Sequence, residues 1–409
     1  MTEPGKMRIA YLGNQISPGG GAMSLYLMVK SVSSDKFDKY VFVSQCRNEE
    51  MKKDLSRYCK NIEVVDIDEI VSCQTYTISK YKYCKARRHA DEKNKKFLQL
   101  LIDNKIEILH INNSVFSHVC RYIKGNSNIK VVSHVREMID HAGIGPMQKY
   151  MIESITEYSD AIITISDNEA ALFKGHPSLY VFPNPFDFSK VDGVSSKFRD
   201  ENGFSNDIIL VGMMGRFDKF KGHMDFLRAL KIIIDKKGDE KRQFKFLIIG
   251  VNPPKKTWKL LVKKMLLMKD YRRMVENYIS ENSMEAYVQL IPFQYHIFNI
   301  IKAVDIFIRP SVSGDPWGRD IIEEMAFSKP IIATGTSQFY VKNGVTGYLV
   351  KPCSPVELAE RISELINDGN KRNEFGKRGG ELIRQMCDID MYGQKIENLY
   401  RYLNEKRND

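Results

Sequence analysis

Short runs of β-branched and aromatic residues alternate with helix-length segments from one end of this chain to the other. In the first half the apolar runs predict strands at 8–13, 40–44, 62–66, 106–111, 130–134, 161–166 and 180–183. In the second half they predict strands at 208–213, 244–250, 288–292, 306–310, 330–334 and 347–350. Strands that read as continuous apolar runs, separated by helices, imply parallel sheets covered on both faces. The polar stretch 187–206 interrupts this rhythm and a second series begins after it. The fold class expected is therefore α/β, with two doubly wound, Rossmann-like domains. Ligands in such domains bind at the carboxyl ends of the strands.

A chain of 409 residues is too long for one ordinary core, in agreement with two domains. Hydrophobic residues make up 43% and charged residues 28%, an ordinary globular composition. No apolar run approaches the length of a membrane span, and the first residues lack a signal-type apolar region, so a cytoplasmic location is expected. Seven cysteines (Cys46, Cys59, Cys73, Cys84, Cys120, Cys353 and Cys387) form no Cys-x-x-Cys pair and suit a reducing compartment. The net charge of +11 favours anionic partners without choosing among nucleotides, nucleic acid and an acidic membrane face. Basic residues are dispersed and no nucleic-acid motif is recognisable, so nucleic acid is not expected as a partner.

The richest chemistry lies in 309–330, Arg-Pro-Ser-Val-Ser-Gly-Asp-Pro-Trp-Gly-Arg-Asp-Ile-Ile-Glu-Glu-Met-Ala-Phe-Ser-Lys-Pro. Asp315 and Glu323 stand eight positions apart, the first in a Gly/Pro-broken loop and the second inside a helix-like run at 320–327. Carboxylates accept hydrogen bonds from hydroxyls, and a helix start presents unpaired N–H groups to a phosphate. Such a layout suits a polyhydroxylated, phosphate-bearing ligand. Upstream, Gly215-Arg216 ends a predicted strand and Lys221-Gly222 precedes an amphipathic helix, so Arg216 and Lys221 can neutralise a diphosphate from a βα loop. Gly20 and Gly21 belong to a glycine loop after the first strand that allows close approach of phosphate or sugar, but it is not a dinucleotide fingerprint. His134 ends a predicted strand, with Arg136 and Glu137 following.

These residues resemble the retaining family 4 glycosyltransferases, which carry a carboxylate-x7-Glu motif on a GT-B fold of two domains facing a central cleft. Asp315 stands where the family usually has Glu, and Glu323 matches the second position. The resemblance implies that Asp315 holds the donor sugar, Glu323 the ribose, and Arg216 and Lys221 the donor diphosphate. It assigns Gly20, Gly21, Gly318, Arg319, Thr336 and Ser337 to the donor side, and His134, Arg136 and Glu137 to the acceptor side. Phe339 departs from it, standing where an acidic residue is common. Catalytic roles are implied for Arg216, Lys221, Asp315 and His134, with retention of configuration. Pro183-Asn184-Pro185 resembles the family's turn ahead of the linker and reads as architectural. The implied domains are 1–188 on the acceptor side and 189–390 on the donor side, with a helix at 391–409 packing back on the first.

The function expected is transfer of a sugar from a nucleotide-diphosphate sugar to a glycan or lipid-linked acceptor, in bacterial surface polysaccharide or glycolipid synthesis. A nucleotide-sugar epimerase or sugar phosphorylase of the same fold stays open as an alternative, as does a non-catalytic nucleotide-sugar or nucleic-acid binding protein. No cofactor beyond the nucleotide sugar is expected, and no metal. Asp66-Ile-Asp68 and Asp388-Ile-Asp390 repeat the Asp-x-Asp of metal-dependent transferases, but such tripeptides arise easily by chance; the first closes a short strand and the second lies in the C-terminal tail, away from the other site residues. Two basic, aromatic-bearing segments, 255–274 and 81–89, fit an anionic membrane surface at the inner face of the plasma membrane, and fit an acidic polysaccharide nearly as well.

Overall fold

The structure is a computed structural model that describes residues 5–17, 19–69, 80–139, 145–237, 244–251, 271–294 and 296–408. The chain forms two compact units: Met1–Phe186 together with Cys387–Asp409, and Asp187–Met386. Unit 1 holds a parallel sheet of β1 (Met7–Ile16), β2 (Phe37–Cys46), β3 (Asn61–Val64), β4 (Ile108–Ile111), β5 (Lys130–Val135), β6 (Ala161–Thr164) and β7 (Leu179–Val181). Its order is β3-β2-β1-β4-β5-β6-β7. Every predicted strand of this half is present. β1 and β2 run longer than their apolar cores because they pair with each other from Met7↔Phe37 to Ile16↔Cys46. Polar Asn14, Gln15, Asp38 and Lys39 hide those extensions in the sequence.

Strand periodicity explains why these strands are apolar throughout. Ile9 and Tyr11 face one side of the sheet with Val41 and Ile108, against Leu25, Met28 and Val29 of the helix Gly20–Ser31. Ala10 and Leu12 face the other side with Phe42 and Leu109, against Phe97 and Leu101 of the helix Lys80–Asp103. Neither face meets water, so alternation with polar residues disappears.

The final helix, Ile389–Asn408, belongs to unit 1 and inserts Tyr392, Ile396, Leu399, Tyr400 and Leu403 into the first of those cores. Gly393 permits the approach: a Cβ there would stand 2.2 Å from the Ser31 carbonyl oxygen. Asp388 caps this helix, its Oδ1 accepting from the backbone N–H of Asp390 and Met391 at 3.0 Å.

Unit 2 repeats the plan with β8 (Ile209–Met214), β9 (Phe244–Val251), β10 (Val288–Pro292), β11 (Ile306–Arg309), β12 (Ile331–Thr334) and β13 (Gly347–Val350). All are parallel, in the order β10-β9-β8-β11-β12-β13. Gly212 lets β11 pack tightly, since a Cβ would lie 2.9 Å from the Phe307 ring. The helix predicted at 320–327 is Arg319–Ala326. Of the two basic segments, 255–270 lies outside the described residues, and Tyr271 opens the helix Tyr271–Glu281. The 81–89 segment lies on the helix Lys80–Asp103, and its side chains fall outside the described residues. Among the described residues no helix is long and apolar enough to cross a membrane.

Candidate functional site

In unit 2, β8 and β11 are neighbours, and chain order runs outward from them in opposite directions. Their carboxyl ends therefore form a topological switch point, the place where open α/β sheets bind ligands. β8 runs out into Gly215 and exposed Arg216, then the 3₁₀ turn Lys219–Lys221. Asp218 caps that turn by accepting from the Phe220 N–H at 2.9 Å. Gly222 follows at φ 78°, and a Cβ on it would fall 1.7 Å from the Pro310 carbonyl oxygen. Only glycine fits there, so the turn carrying Lys221 is pinned against the exit of β11.

That exit is built around Arg309, a residue the sequence pattern placed only at a strand end. Its Nε donates to the Asp315 carbonyl at 2.7 Å, and its Nη1 donates to Asp320 Oδ2. Gly318 stands between them at φ 148°, where a Cβ would come within 2.5 Å of Asp320 Oδ1. The loop holding Asp315 is thus shaped by a guanidinium and a glycine. Ser313 Oγ donates to Asp315 Oδ2 at 2.8 Å. Gly335 (φ 130°) lets the Thr336–Ser337 turn close on the same loop, since a Cβ there would lie 2.4 Å from the Gly314 carbonyl oxygen. Thr336 is exposed, and Ser337 Oγ accepts from the Phe339 N–H at 3.4 Å.

Charge is crowded in this corner. The Lys221 ammonium is held below the usual lysine range, first by Arg309, then by burial and by Arg216, while Asp320 and Asp315 oppose the shift. Burial would raise Asp320, but Arg309, Lys221 and the Ile321 N–H outweigh it and keep this carboxylate below its usual range. Asp320 thus stands in the first turn of the helix, whose N-cap Gly318 brings no side-chain hydrogen bond. Glu323 sits one turn on, paired with Arg319 through Oε1 at 3.0 and 3.2 Å. Burial pushes its pKa up against the pull of Arg319. Glu324, 2% exposed, is pushed well above the carboxylate range by burial and then by Asp320. His223 is buried between Phe217 and Tyr271, with ring centroids at 4.7 and 5.8 Å, and burial lowers its pKa to about 4.

Against the description "Glycosyl transferases group 1", residues 194–381 match the family model. The chain is 24% identical over 220 residues to the capsular polysaccharide biosynthesis glycosyltransferase CapM of Staphylococcus aureus, covering 53% of this chain and 52% of CapM. It is 26% identical over 196 residues to the D-inositol 3-phosphate glycosyltransferase of Corynebacterium glutamicum, covering 47% of this chain and 43% of that protein. The matches span about half the length of these curated relatives. The fold matches Anabaena HepE, solved with UDP and glucose, at a TM-score of 0.76 and 20% identity, covering 97% of this chain and all of that one. The fold is GT-B, two parallel-sheet α/β domains.

Unit 2 thus gathers Arg216, Lys221, Asp315, Gly318, Arg319, Glu323, Thr336 and Ser337 around its switch point. The remaining predicted residues lie in unit 1. Gly20 and Gly21 open the helix Gly20–Ser31 at the surface, and a Cβ on Gly21 would meet nothing within 4 Å, so the fold itself does not require glycine there. His134 lies at the carboxyl end of β5, 1% exposed. Arg136 is tied inward, with Nε to Asn112 Oδ1 at 2.8 Å, Nη1 to Asn184 Oδ1 and Nη2 to His134 Nδ1 at 3.2 Å. Glu137 accepts from the Ser114 N–H at 3.0 Å. Asp66 and Asp68 both receive the Lys93 ammonium, at 2.8 and 2.7 Å. A cation of the chain already stands between those carboxylates.

Proposed function

We propose that this protein is a retaining, metal-independent glycosyltransferase of the family 4 type. It takes a sugar from a nucleotide-diphosphate donor and passes it to a glycan or lipid-linked acceptor in surface polysaccharide or glycolipid synthesis, on the cytoplasmic side. One observation carries the reading: Arg309 and Arg216 press on Lys221 at the β8/β11 switch point and hold its ammonium below the usual range even with Asp320 and Asp315 beside it. A diphosphate supplies the missing negative charge. As the sugar–phosphate bond breaks, charge grows on the leaving phosphate, and preset cations stabilise it without reorganising. Asp315 in the loop and Glu323 on the helix are spaced to accept sugar and ribose hydroxyls, and Arg319 holds the Glu323 carboxylate in place. The UDP and glucose bound by the structurally similar Anabaena protein support a nucleotide-sugar donor, and the CapM match supports a polysaccharide context.

The direct test is a thermal-shift screen against UDP, GDP, ADP and their sugar conjugates, because a ligand that binds only the folded state raises its stability. One nucleotide series should raise the midpoint, and the effect should vanish in Glu323→Ala. No stabilisation by any of them overturns the reading. With a matched donor, proton NMR of the product's anomeric position decides retention, and turnover in chelator decides metal independence.

A further inference from the structure

Beneath the carboxyl end of the unit 1 sheet lies a buried polar chain that joins residues far apart in sequence. The Tyr400 hydroxyl, on the final helix, stands 2.6 Å from His110 Nδ1. His110 Nε2 stands 3.2 Å from His134 Nδ1. That same Nδ1 also lies 3.2 Å from Nη2 of Arg136. His110 and Tyr400 are completely buried and His134 nearly so, and the ring of Tyr11 stacks on His110 at 5.7 Å. Among the described residues, His134 Nε2 has no hydrogen-bond partner.

The direction of every proton in this chain follows from Arg136. A guanidinium can only donate, so His134 Nδ1 must be an acceptor carrying a lone pair. His110 Nε2 faces the same atom and must carry a proton, since two lone pairs at 3.2 Å would repel. His110 Nδ1 is then the acceptor, and Tyr400 O–H donates to it. A neutral His134 has one proton left to place, and only Nε2 remains.

We propose that Arg136, His110 and Tyr400 hold His134 as a neutral imidazole protonated on Nε2, which leaves it no free lone pair with which to act as a general base. A base must present a lone pair, and the Nδ1 lone pair is already occupied from two sides. The cationic form is disfavoured too, because a proton on Nδ1 would confront the Arg136 N–H. The surroundings agree: burial first, then Arg136, lower both histidines well below the usual range. The charged and titratable groups around the pair are Tyr11 on β1, Arg136 beyond β5, and Tyr392 and Tyr400 on the final helix, with Glu397 of that helix acting on Tyr11. No carboxylate among the described residues acts on either histidine to favour an imidazolium. That the proton state of His134 bears on transfer rests on the transferase reading; the tautomer stands on this geometry alone. Arg136, His110 and Tyr400 are positioning residues for His134.

The test is two-bond proton–nitrogen NMR on full-length protein labelled with ¹⁵N-histidine, from pH 5.5 to 8, with His134→Gln and His110→Gln spectra giving the assignments. Both rings should show protonated Nε2 and bare Nδ1 throughout, with no titration. An Nδ1–H form of His134, or a midpoint near pH 6.5, overturns the proposal. In Arg136→Met, His134 should become a mixture of tautomers. In Tyr400→Phe, the His110 Nδ1 resonance should move downfield as it loses its donor. An unmoved resonance in that folded variant would show that Tyr400 only fills space and would overturn its part. Should either variant unfold, its histidines take random-coil shifts and the unmutated protein still decides. Turnover plays no part in the readout, so failure here and failure of the transferase reading are told apart.

Discussion

The two units place their polar groups at the same end of a parallel sheet but treat them in opposite ways. In unit 1, His110, His134, Arg136, Asn112, Asn184 and Tyr400 hydrogen-bond to one another with His134 Nε2 left over, and the histidines are held neutral. In unit 2, Arg309 and Arg216 press on Lys221 against the opposing pull of Asp320 and Asp315, and Lys221 is destabilised as a cation. The first arrangement fixes a proton. The second is poised for an incoming anion. A buried network that is satisfied gains rigidity, whereas an unbalanced one stores unfavourable charge until a ligand relieves it.

Replacing Lys221 by Met should break the contrast most sharply. Turnover should fall by roughly 10²–10³, the scale of losing one charge-stabilising donor. The thermal midpoint should hold or rise, because a crowded cation has been removed. A large loss of stability with modest loss of turnover would mean that Lys221 is structural. Glu323→Ala comes next: losing charge-assisted hydrogen bonds worth about 1.5–3 kcal/mol should weaken nucleotide binding about 10- to 100-fold in calorimetry, with the fold retained.

Acid should separate the units. A buried histidine whose folded pKa lies below 6.5 leaves stability intact above that pH, and stability is lost as pH falls toward the folded value, because the unfolded chain binds the proton first. His118 in unit 1 and His223 in unit 2 are both lowered to about 4 by burial, each contributing a loss of about 2 kcal/mol at pH 5. Unit 1 also carries His110 and His134, so it should unfold first. Both tryptophans of the chain, Trp258 and Trp317, lie in the span of unit 2. At pH 5, circular dichroism should therefore register a urea transition before tryptophan fluorescence does. Coincident transitions would deny the asymmetry. Tyr400→Phe should lower stability by about 1–3 kcal/mol through the acceptor it strands on His110, measured by urea titration at pH 7.5. The smallest effect belongs to Asp66→Asn with Asp68→Asn, partly exposed partners of Lys93: under about 1 kcal/mol in stability, and no change in turnover.

How much of this was readable beforehand follows from the range of each interaction. The strands, their parallel pairing and the βα position of Lys221 were legible because they depend on neighbours within a few residues and on which faces are buried. Asp315 and Glu323 were legible because a loop and the helix after it are contiguous. Arg309 was missed as a partner of Asp320, although the two are only 11 residues apart, because the loop's path decides whether they meet. The inward turn of Arg136 was missed for the same reason: Asn112 and Asn184 come from different strand ends.

Local periodicity by itself determined two α/β sheets, a carboxylate-bearing loop before a helix, and a basic turn after a strand. Only tertiary structure decided that Tyr400 reaches His110 across 290 residues, that a guanidinium polarises the histidine pair, and that Asp320 pairs with Arg309 beside Lys221. The physical reason is that periodicity records which face of an element is buried, while the charge and proton state of a buried group depend on what lies within a few ångströms of it. Those neighbours are chosen by the path of the chain through space, and a pattern of apolar and polar positions carries no record of that path.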